Sequence, residues 1–329
     1  MIYYWSPDYS SVVGGVKILY RHVDILNNNG FSASIIHKKS GFRCTWFENS
    51  TQISYLKKIS LIDRDYLVIP EVYGSLYANP KERPKAFKAF SRLFDTPARK
   101  VLFNQNTYNT FKGHSFEQGD LRSIYLDRSI TGIMVVSEDN KAYMEYAFPG
   151  MKVFRIHNHI NAEIFSYHPE KKKQICFMPR KNADHSLQVI NILKFRKNLS
   201  DFKIVAIENK TEKETAQILK ESLIFLSFGY PEGFSLPPAE AMACGCITIG
   251  YTGMGAKEFF ISDLCYPVEM GDIITFARTV EDVIARWRVS PEILLERTRQ
   301  ASDFIHSTYS REQEINDVLG FWKEMLQQK

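Results

Sequence analysis

The sequence has 329 residues, of which 44% are hydrophobic and 24% are charged, and this composition excludes disordered and fibrous proteins. A chain of this length is expected to form two domains of ordinary size. Lysine and arginine exceed aspartate and glutamate by 42 to 37, a surplus that suits phosphate-bearing ligands but falls short of the charge typical of proteins that bind nucleic acids.

The first half of the chain alternates apolar runs with segments of helical period. The runs are rich in β-branched or aromatic residues and lie at 1–5, 32–36, 65–70, 100–104, 131–136 and 152–156. One face of the first helix carries Val16, Leu19, Val23 and Leu26. Gly30 follows at the position of a C-terminal cap. The alternation predicts parallel strands joined by crossover helices.

The second half repeats this pattern. Strand-like runs at 174–178, 202–207, 223–228, 246–251 and 263–267 alternate with helical candidates near 184–195, 211–221, 237–245 and 271–288. Between the halves, residues 157–173 are polar, contain a proline and end in a lysine run, which predicts a solvated connector. The sequence therefore predicts an α/β fold with two Rossmann-like domains, whose ligands bind at the carboxyl ends of the strands.

The stretch "GYPEGFSLPPAEAMACG", residues 229–245, combines a turn with a helix start. Because proline is tolerated only in the first turn of a helix, the helix is expected to begin near Leu236 to Pro238. The backbone amides just before and at its start are those of Gly233, Phe234, Ser235 and Leu236. Such amides have no partner within the helix, and they suit an anionic or hydroxyl-rich ligand.

Two glutamates flank the turn and the helix start. Glu232 lies in the turn and Glu240 lies one turn into the helix, so the two carboxylates address separate parts of one ligand. Carboxylates accept paired hydrogen bonds from vicinal diols. Because a nucleotide sugar carries one diol on its ribose and another on its sugar, the spacing predicts a nucleotide-sugar site.

The segment "PEGFSLPPAEAMACG" resembles the E-x7-E signature of the retaining glycosyltransferases of family 4, which have two Rossmann-like domains of the GT-B type facing across a cleft. Three further segments are similar to that family in the same order, "VVGGVKILYRHVDILNNNG", "FMPRKN" and "GYTGMGAKEFF". The resemblance implies an acceptor-side domain at 1–160, joined by a C-terminal helix at 308–329, and a donor-binding domain at 161–307.

The resemblance also implies roles for residues of the donor-binding domain. Glu240 would bind the ribose hydroxyls, and Glu232 would meet the transferred sugar. Arg180 and Lys181 would bind the pyrophosphate and stabilise the leaving diphosphate in place of a metal ion. Relatives separate their basic pair, and the residue five positions after Arg180 is here His185. No cofactor is implied, because the nucleotide sugar is a substrate.

In the acceptor-side domain, Gly14 and Gly15 correspond to the glycine-rich loop that approaches the donor. Gln105 lies where many relatives carry a histidine that faces the cleft, and it is the candidate catalytic residue of this domain. One departure concerns the signature itself, since Ser235 stands where many relatives have glycine. At this position the Ser235 side chain would either crowd the sugar pocket or add a hydroxyl contact, so the resemblance leaves the donor preference open.

The implied function is retaining transfer of a sugar from a nucleotide-diphosphate sugar to a glycan, lipid-linked or other acceptor, as in polysaccharide biosynthesis. The alternative, prompted by Ser235 and Gln105, is a non-catalytic subunit that binds nucleotide sugars. The two hypotheses differ in whether a bound donor is turned over.

We expect a cytoplasmic protein, because the N-terminus lacks the pattern of a signal peptide and no apolar stretch approaches the roughly 20 residues that cross a bilayer. Five scattered cysteines fit a reducing compartment. The segment 79–94 sets Phe87, Phe90 and Phe94 on one helical face among basic residues. Core packing is the favoured interpretation of this face, and peripheral docking at the inner face of a membrane is the alternative.

Overall fold

The computed structural model of the chain describes residues 1–116, 122–197 and 199–327. This described part divides into two compact units. The first unit consists of Met1–Ile156 with the chain from Ile315 onward, and the second is His157–Glu314. The limits expected from the sequence, at 160 and 307, remain predictions about separable domains, and the last two residues of the helix expected at 308–329 lie outside the described residues.

The first unit is built on a parallel sheet. Its strands are β1 (Ile2–Trp5), β2 (Ala33–His37), β3 (Ile53–Tyr55), β4 (Tyr66–Pro70), β5 (Arg99–Asn104), β6 (Ile130–Val135) and β7 (Val153–Arg155). Its helices are α1 (Gly14–Asn28), α2 (Gly74–Ala78), α3 (Pro84–Phe94) and α4 (Glu138–Ala147).

The strands of this sheet lie in the order β3-β2-β1-β4-β5-β6-β7. Ile2 of β1 is in register with Ala33 on one side and with Tyr66 on the other. The chain therefore builds the sheet outward in both directions from β1 and β4. Since helices cover both faces of a parallel sheet, its strands are continuous apolar runs, and β4 is buried along its whole length.

The second unit repeats this architecture with a smaller parallel sheet. Its strands are β8 (Lys172–Phe177), β9 (Lys203–Ala206), β10 (Ser222–Phe228), β11 (Ile247–Tyr251) and β12 (Tyr266–Pro267). Its helices are α5 (Ala183–Phe195), α6 (Glu212–Glu221), α7 (Leu236–Ala243), α8 (Ile273–Val289) and α9 (Pro291–Thr308). The order β12-β11-β10-β8-β9 makes β8 and β10 the pair from which the sheet grows in both directions.

The last helix, α10 (Arg311–Gln327), packs on the first unit through its C-terminal part. Trp322 is fully buried, and its indole N–H donates to the Tyr4 hydroxyl at 3.0 Å. The Tyr66 hydroxyl donates to the Met325 carbonyl at 2.7 Å. These contacts place the apolar face of α10 against β1 and β4.

Each apolar run predicted from the sequence overlaps a strand, and α7 begins at Leu236 as predicted. The prediction of a solvated connector at 157–173 is confirmed for most of the segment, including the exposed Lys172 and Lys173, but it is wrong for the apolar residues within it. Ile160 and Phe165 are buried, with 4% and 3% of their surface exposed, because these apolar residues interrupt the polar segment. Lys171 turns its ammonium group to the Cys244 carbonyl at 2.7 Å, and the next lysines of the run belong to β8.

The helix α3 uses its phenylalanine face for packing. Phe90 and Phe94 are buried in the core of the first unit, and Phe87 packs against that core. Core packing of this face is therefore confirmed. Among the described helices, none is both long enough and apolar enough to cross a membrane.

Candidate active site

The carboxyl ends of β8 and β10 bring the candidate donor-binding residues together. The two strands are neighbours, but β9 lies beyond β8 and β11 lies beyond β10. The chain therefore leaves β8 and β10 in opposite directions, and such a reversal opens a crevice at the carboxyl ends of a parallel sheet. Residues 178–182 follow β8, and residues 229–235 follow β10.

Lys181 and Glu232 form an ion pair at this reversal. The Lys181 Nζ lies 2.9 Å from Glu232 Oε2, and the side chains are 36% and 20% exposed. The Ser235 hydroxyl donates to the other carboxylate oxygen, Glu232 Oε1, at 3.1 Å. Two residues that the resemblance assigns to different parts of a donor are thus in direct contact, and both are accessible to solvent.

The two loops are fixed to each other by Asn182. Its side-chain amide donates to the Phe228 carbonyl at 3.0 Å and to the Gly229 carbonyl at 2.9 Å. Arg180, two residues earlier, is exposed. Asn182 therefore holds the backbone beside Lys181 in place, while the Arg180 side chain stays in solvent near the same reversal.

Ser235 caps α7 in the left-handed region, with φ +64° and ψ +70°. A side chain is unfavourable in this region, whereas glycine adopts it freely. The backbone here therefore suits glycine, the residue that the family 4 resemblance implies at this position. In this chain the serine is retained there, buried with 4% of its surface exposed, and bonded to Glu232.

The segment "GYTGMGAKEFF" packs its glycines against the turn that carries Glu232. Glu232 N–H donates to the Gly253 carbonyl at 3.0 Å, and Gly255 N–H donates to the Glu232 carbonyl at 3.2 Å. A Cβ atom on Gly255 would lie 2.1 Å from the Gly233 carbonyl oxygen. Glycine is therefore required at 255, because any side chain would collide with the backbone at Gly233. The close contact and the two backbone hydrogen bonds hold the turn that carries Glu232 in place.

Of the other predicted residues of this unit, Gly233 and Phe234 lie buried in the turn before α7, while Leu236, Glu240 and His185 lie on helices. Glu240 lies in the second turn of α7 and is partly buried. The prolines at 237 and 238 have no N–H, so the donors available at the start of α7 are the amides up to Leu236. His185 lies in the first turn of α5, and its ring meets Tyr251 edge-on at 5.7 Å between centroids.

In the first unit the corresponding reversal lies at β1 and β4, with β5 next to β4. Gly14 and Gly15 begin α1, which follows β1 in the chain. Glu71 directly follows β4, and Gln105 directly follows β5. Three neighbouring strands thus deliver these residues to the same edge of the sheet.

Gln105 packs directly on Gly15. Its side-chain amide donates to the Gly15 carbonyl at 3.1 Å. A Cβ atom on Gly15 would lie 3.1 Å from Gln105 Oε1 and 3.2 Å from Gln105 Nε2. Gly15 therefore leaves room for the Gln105 carboxamide, a reason for glycine that the sequence analysis did not foresee. Within the described residues, Gln105 Oε1 is buried without a hydrogen-bond partner.

Glu71 is a functional candidate that the sequence analysis missed. It is 7% exposed, and its Oε2 accepts a hydrogen bond from the Gln105 N–H at 3.2 Å. Burial raises the pKa of the Glu71 carboxyl to about 7. The available signal was an acid placed immediately after the buried run 65–70, since strand ends of this kind position binding residues.

The loop between β1 and α1 is anchored by Asp8. One carboxylate oxygen lies 2.8 Å from His37 Nδ1, and the other accepts the Lys39 N–H at 2.8 Å. The buried His37 reaches the Tyr20 hydroxyl with its other ring nitrogen at 2.6 Å. These contacts hold the loop that leads from β1 to Gly14 at the start of α1.

Over residues 1–116, 122–197 and 199–327, no group of three or more histidine, cysteine, aspartate or glutamate side chains is placed to hold a metal ion. His159, which the sequence shows in the segment "HNH", pairs with the buried Glu314.

No protein-family model matches the sequence. The chain is 27% identical over 248 residues to the alpha-1,6-glucosyltransferase of Actinobacillus pleuropneumoniae serotype 7 (strain AP76), and this alignment covers 73% of the chain and 69% of that protein.

Solved structures resemble the whole chain. Sucrose-phosphate synthase from Thermosynechococcus elongatus superposes with a TM-score of 0.66 at 14% identity, covering 98% of both chains. Anabaena HepE, solved in complex with UDP-glucose, superposes with a TM-score of 0.62 at 9% identity, covering 98% of this chain and 99% of that one. Likenesses at such low identity establish the fold, and the chain has the GT-B fold with two Rossmann-like α/β domains.

Proposed function

We propose that this protein is a retaining glycosyltransferase of family 4, which transfers a sugar from a nucleotide-diphosphate sugar to a hydroxyl group of a glycan, lipid-linked or other acceptor. The proposal depends chiefly on the Lys181–Glu232 pair at the reversal of β8 and β10. A cation next to a carboxylate suits a ligand in which a diphosphate is followed by sugar hydroxyls.

The compared proteins support this class of reaction and suggest a first donor. The Actinobacillus relative is named a glucosyltransferase, and Anabaena HepE was solved with UDP-glucose. UDP-glucose is therefore the donor to test first. Because the alpha-1,6-glucosyltransferase and the sucrose-phosphate synthase are named as enzymes, they favour a transferase over a non-catalytic nucleotide-sugar-binding subunit.

In the proposed complex, Glu240 accepts the ribose hydroxyls and Glu232 accepts hydroxyls of the transferred sugar. Arg180 and Lys181 bind the diphosphate, together with the amides of the turn before α7. Binding requires Lys181 to exchange Glu232 for a phosphate oxygen. Both side chains are partly exposed, and ion pairs of this kind contribute only about 0–1 kcal/mol, so the exchange costs little.

The proposed reaction breaks the bond between the sugar C1 and the β-phosphate oxygen. The acceptor oxygen forms its bond to C1 on the same face, and the acceptor proton passes to the departing phosphate. Arg180, Lys181 and the turn amides stabilise the charge that develops on the diphosphate, a role that a metal ion fills in other enzymes. No nucleophilic side chain is needed. Gln105 is proposed to contact the reacting groups from the first unit.

The proposal is tested by measuring thermal stabilisation with UDP, GDP and ADP, followed by nucleotide release from the matching glucose donors in EDTA. At a hundredfold excess over the dissociation constant, a bound nucleotide adds about 2.7 kcal/mol of stability. We expect stabilisation by UDP and release of UDP from UDP-glucose. Tight binding without release, over a broad panel of glycan acceptors, would instead indicate the binding subunit.

A matched pair of variants tests the site. Lys181 follows the carboxyl end of β8, whereas Lys173 lies near its amino end and pairs with Asp201 at 3.0 Å. Lys181→Gln is expected to weaken UDP binding, and Lys173→Gln is expected to leave it unchanged. If the two substitutions changed UDP affinity equally, the proposed location of the donor site at this reversal would be wrong.

A further inference from the structure

Glu71 is a buried acid that binds the first residue beyond the neighbouring strand. Its carboxyl is 7% exposed, and its Oε2 accepts the Gln105 backbone N–H at 3.2 Å. Burial opposes the ionised form and raises the pKa to about 7. A carboxyl group that is unfavourable to ionise is therefore placed where its oxygen accepts a backbone N–H, and this bond ties Glu71 to Gln105.

The Gln105 side chain is oriented but incompletely bonded. Its amide group donates to the Gly15 carbonyl at 3.1 Å. Its Oε1 is buried and, within the described ranges, has no hydrogen-bond partner. A buried acceptor without a donor is unfavourable, so this oxygen is suited to receive a hydroxyl group of a bound molecule.

The chain around Gln105 is braced on both sides. Asn104 is fully buried, and its side-chain amide donates to the Tyr125 hydroxyl at 2.6 Å. The Asn106 N–H donates to Asn104 Oδ1 at 3.0 Å. Between these two braced residues, the Gln105 backbone is fixed by its bond to Glu71. Removal of that bond frees the one residue of this turn whose side chain has an unused acceptor.

We propose that Glu71 is a positioning residue, which binds the Gln105 N–H and thereby sets the direction in which the Gln105 carboxamide meets a reacting hydroxyl group. Glu71 itself touches no reactant. This inference rests on the proposed function, since it assumes that Gln105 contacts a substrate in the transfer step.

Three variants separate positioning from packing. Glu71→Gln keeps an acceptor oxygen of the same size, and Glu71→Leu removes it. Asp65→Leu is the matched control, because Asp65 is also 7% exposed but lies before the amino end of β4, where it binds the Met1 amino group at 3.0 Å. Glu71→Ala replaces Glu71→Leu should the latter fail to fold.

The first measurement is hydrogen exchange of the Gln105 amide, which does not depend on activity. Loss of the acceptor is expected to accelerate this exchange by about tenfold or more in Glu71→Leu. Glu71→Gln and Asp65→Leu are expected to keep the exchange rate of the unaltered chain. Unchanged exchange in Glu71→Leu would overturn the positioning role, whether or not the protein transfers sugar.

The second measurement is transfer from UDP-glucose, with UDP affinity as the control. We expect kcat to fall by about 10- to 100-fold in Glu71→Leu and in Gln105→Leu, with UDP affinity unchanged. Because the two residues act as one unit, the double variant is expected to be no slower than the slower single variant. The inference would be overturned if the kcat losses of the two single variants multiplied in the double variant. It would also be overturned if Glu71→Gln lost as much kcat as Glu71→Leu. Absence of transfer by the unaltered chain counts against the proposed function, while the exchange measurement still decides the role of Glu71.

Discussion

The Lys181 ammonium group lies 2.9 Å from the Glu232 carboxylate, where the chain leaves β8 and β10 in opposite directions. A partly exposed pair of this kind adds about 0–1 kcal/mol to stability. The pair therefore contributes little to the stability of the fold. Either side chain can leave it at low cost in free energy to bind a ligand. In the proposed function, the donor breaks this ion pair. Its diphosphate then binds Lys181, and its sugar hydroxyls bind Glu232.

Glu232 and Glu240 are predicted to differ in their effect on nucleotide binding. Glu240→Gln should weaken UDP affinity by about 10- to 150-fold, because a charged hydrogen-bond partner of the ribose is lost. Glu232→Gln should leave UDP affinity equal or higher, since it frees Lys181 from its partner. Titration calorimetry with UDP measures both constants, and equal losses in the two variants would contradict the assignment.

Ser235 allows a test of the left-handed turn. Ser235→Gly and Ser235→Ala both remove the hydroxyl that binds Glu232, so they differ only in the Cβ atom, which the left-handed backbone disfavours. At φ +64°, glycine should be more stable than alanine by about 1 kcal/mol. At a position inside a helix, by contrast, alanine is the more stabilising of the two residues. Urea unfolding of the two variants measures this difference in the free energy of unfolding. If the alanine variant were as stable as the glycine variant or more stable, the left-handed backbone at this position would not be strained.

Glu71 should make stability depend on pH in a definite direction. Because folding raises the pKa of this acid from 4.5 to about 7, the folded state binds the proton more tightly than the unfolded chain does. The stabilisation by this proton is complete below about pH 4.5 and is lost as the pH rises to about 7. Glu71→Gln lacks this dependence.

The measurement is the free energy of unfolding of both proteins at pH 5 and at pH 8. The difference between Glu71→Gln and the unaltered chain should shift in favour of the variant by about 3 kcal/mol at the higher pH. A difference that stays constant over this range would show that the Glu71 carboxyl titrates normally.

Gly15 should matter for transfer more than for nucleotide binding. A Cβ atom there would lie 3.1 Å from Gln105 Oε1, so Gly15→Val displaces the carboxamide while the proposed nucleotide site lies in the second unit. The transfer rate should fall by about 10- to 100-fold. Gly320→Val is the control, because a Cβ at that helical glycine meets no atom within 4 Å. Steady-state rates beside UDP affinities test this, and loss of UDP binding in Gly15→Val would refute the division of roles.

Elements with a strong apolar pattern were predictable from the sequence. The run 66–70 forms β4 and is buried throughout, as expected for a strand covered on both faces. The strand β3 was missed, because its three residues are only half-buried and form no apolar run. The helix α9 was missed as well, since its buried face includes Thr298, Ala301 and Ser302, which give a weak hydrophobic period.

The sequence placed a candidate site at the end of a buried strand, but the contacts within it could not be predicted. Spacing alone placed Glu232 and Glu240 around a helix start. The Lys181–Glu232 pair depends on β8 and β10 being neighbours, although α5, β9 and α6 separate them in the chain. The role of Glu71 depends in the same way on the pairing of β4 with β5. Such relations are set by sheet order, which a local pattern does not contain.

The central claim is retaining transfer from a nucleotide sugar, and the most direct measurement is proton NMR of the reaction with UDP-glucose in EDTA and a panel of glycoside acceptors. The anomeric signal of the donor should disappear as UDP forms, and the new glucoside should show the α configuration of the donor. In the proposed function Arg180, Lys181 and the turn amides would take the place of a metal ion, so the reaction should proceed in EDTA. A β-configured product, or turnover that depends strictly on a divalent metal ion, would contradict the account.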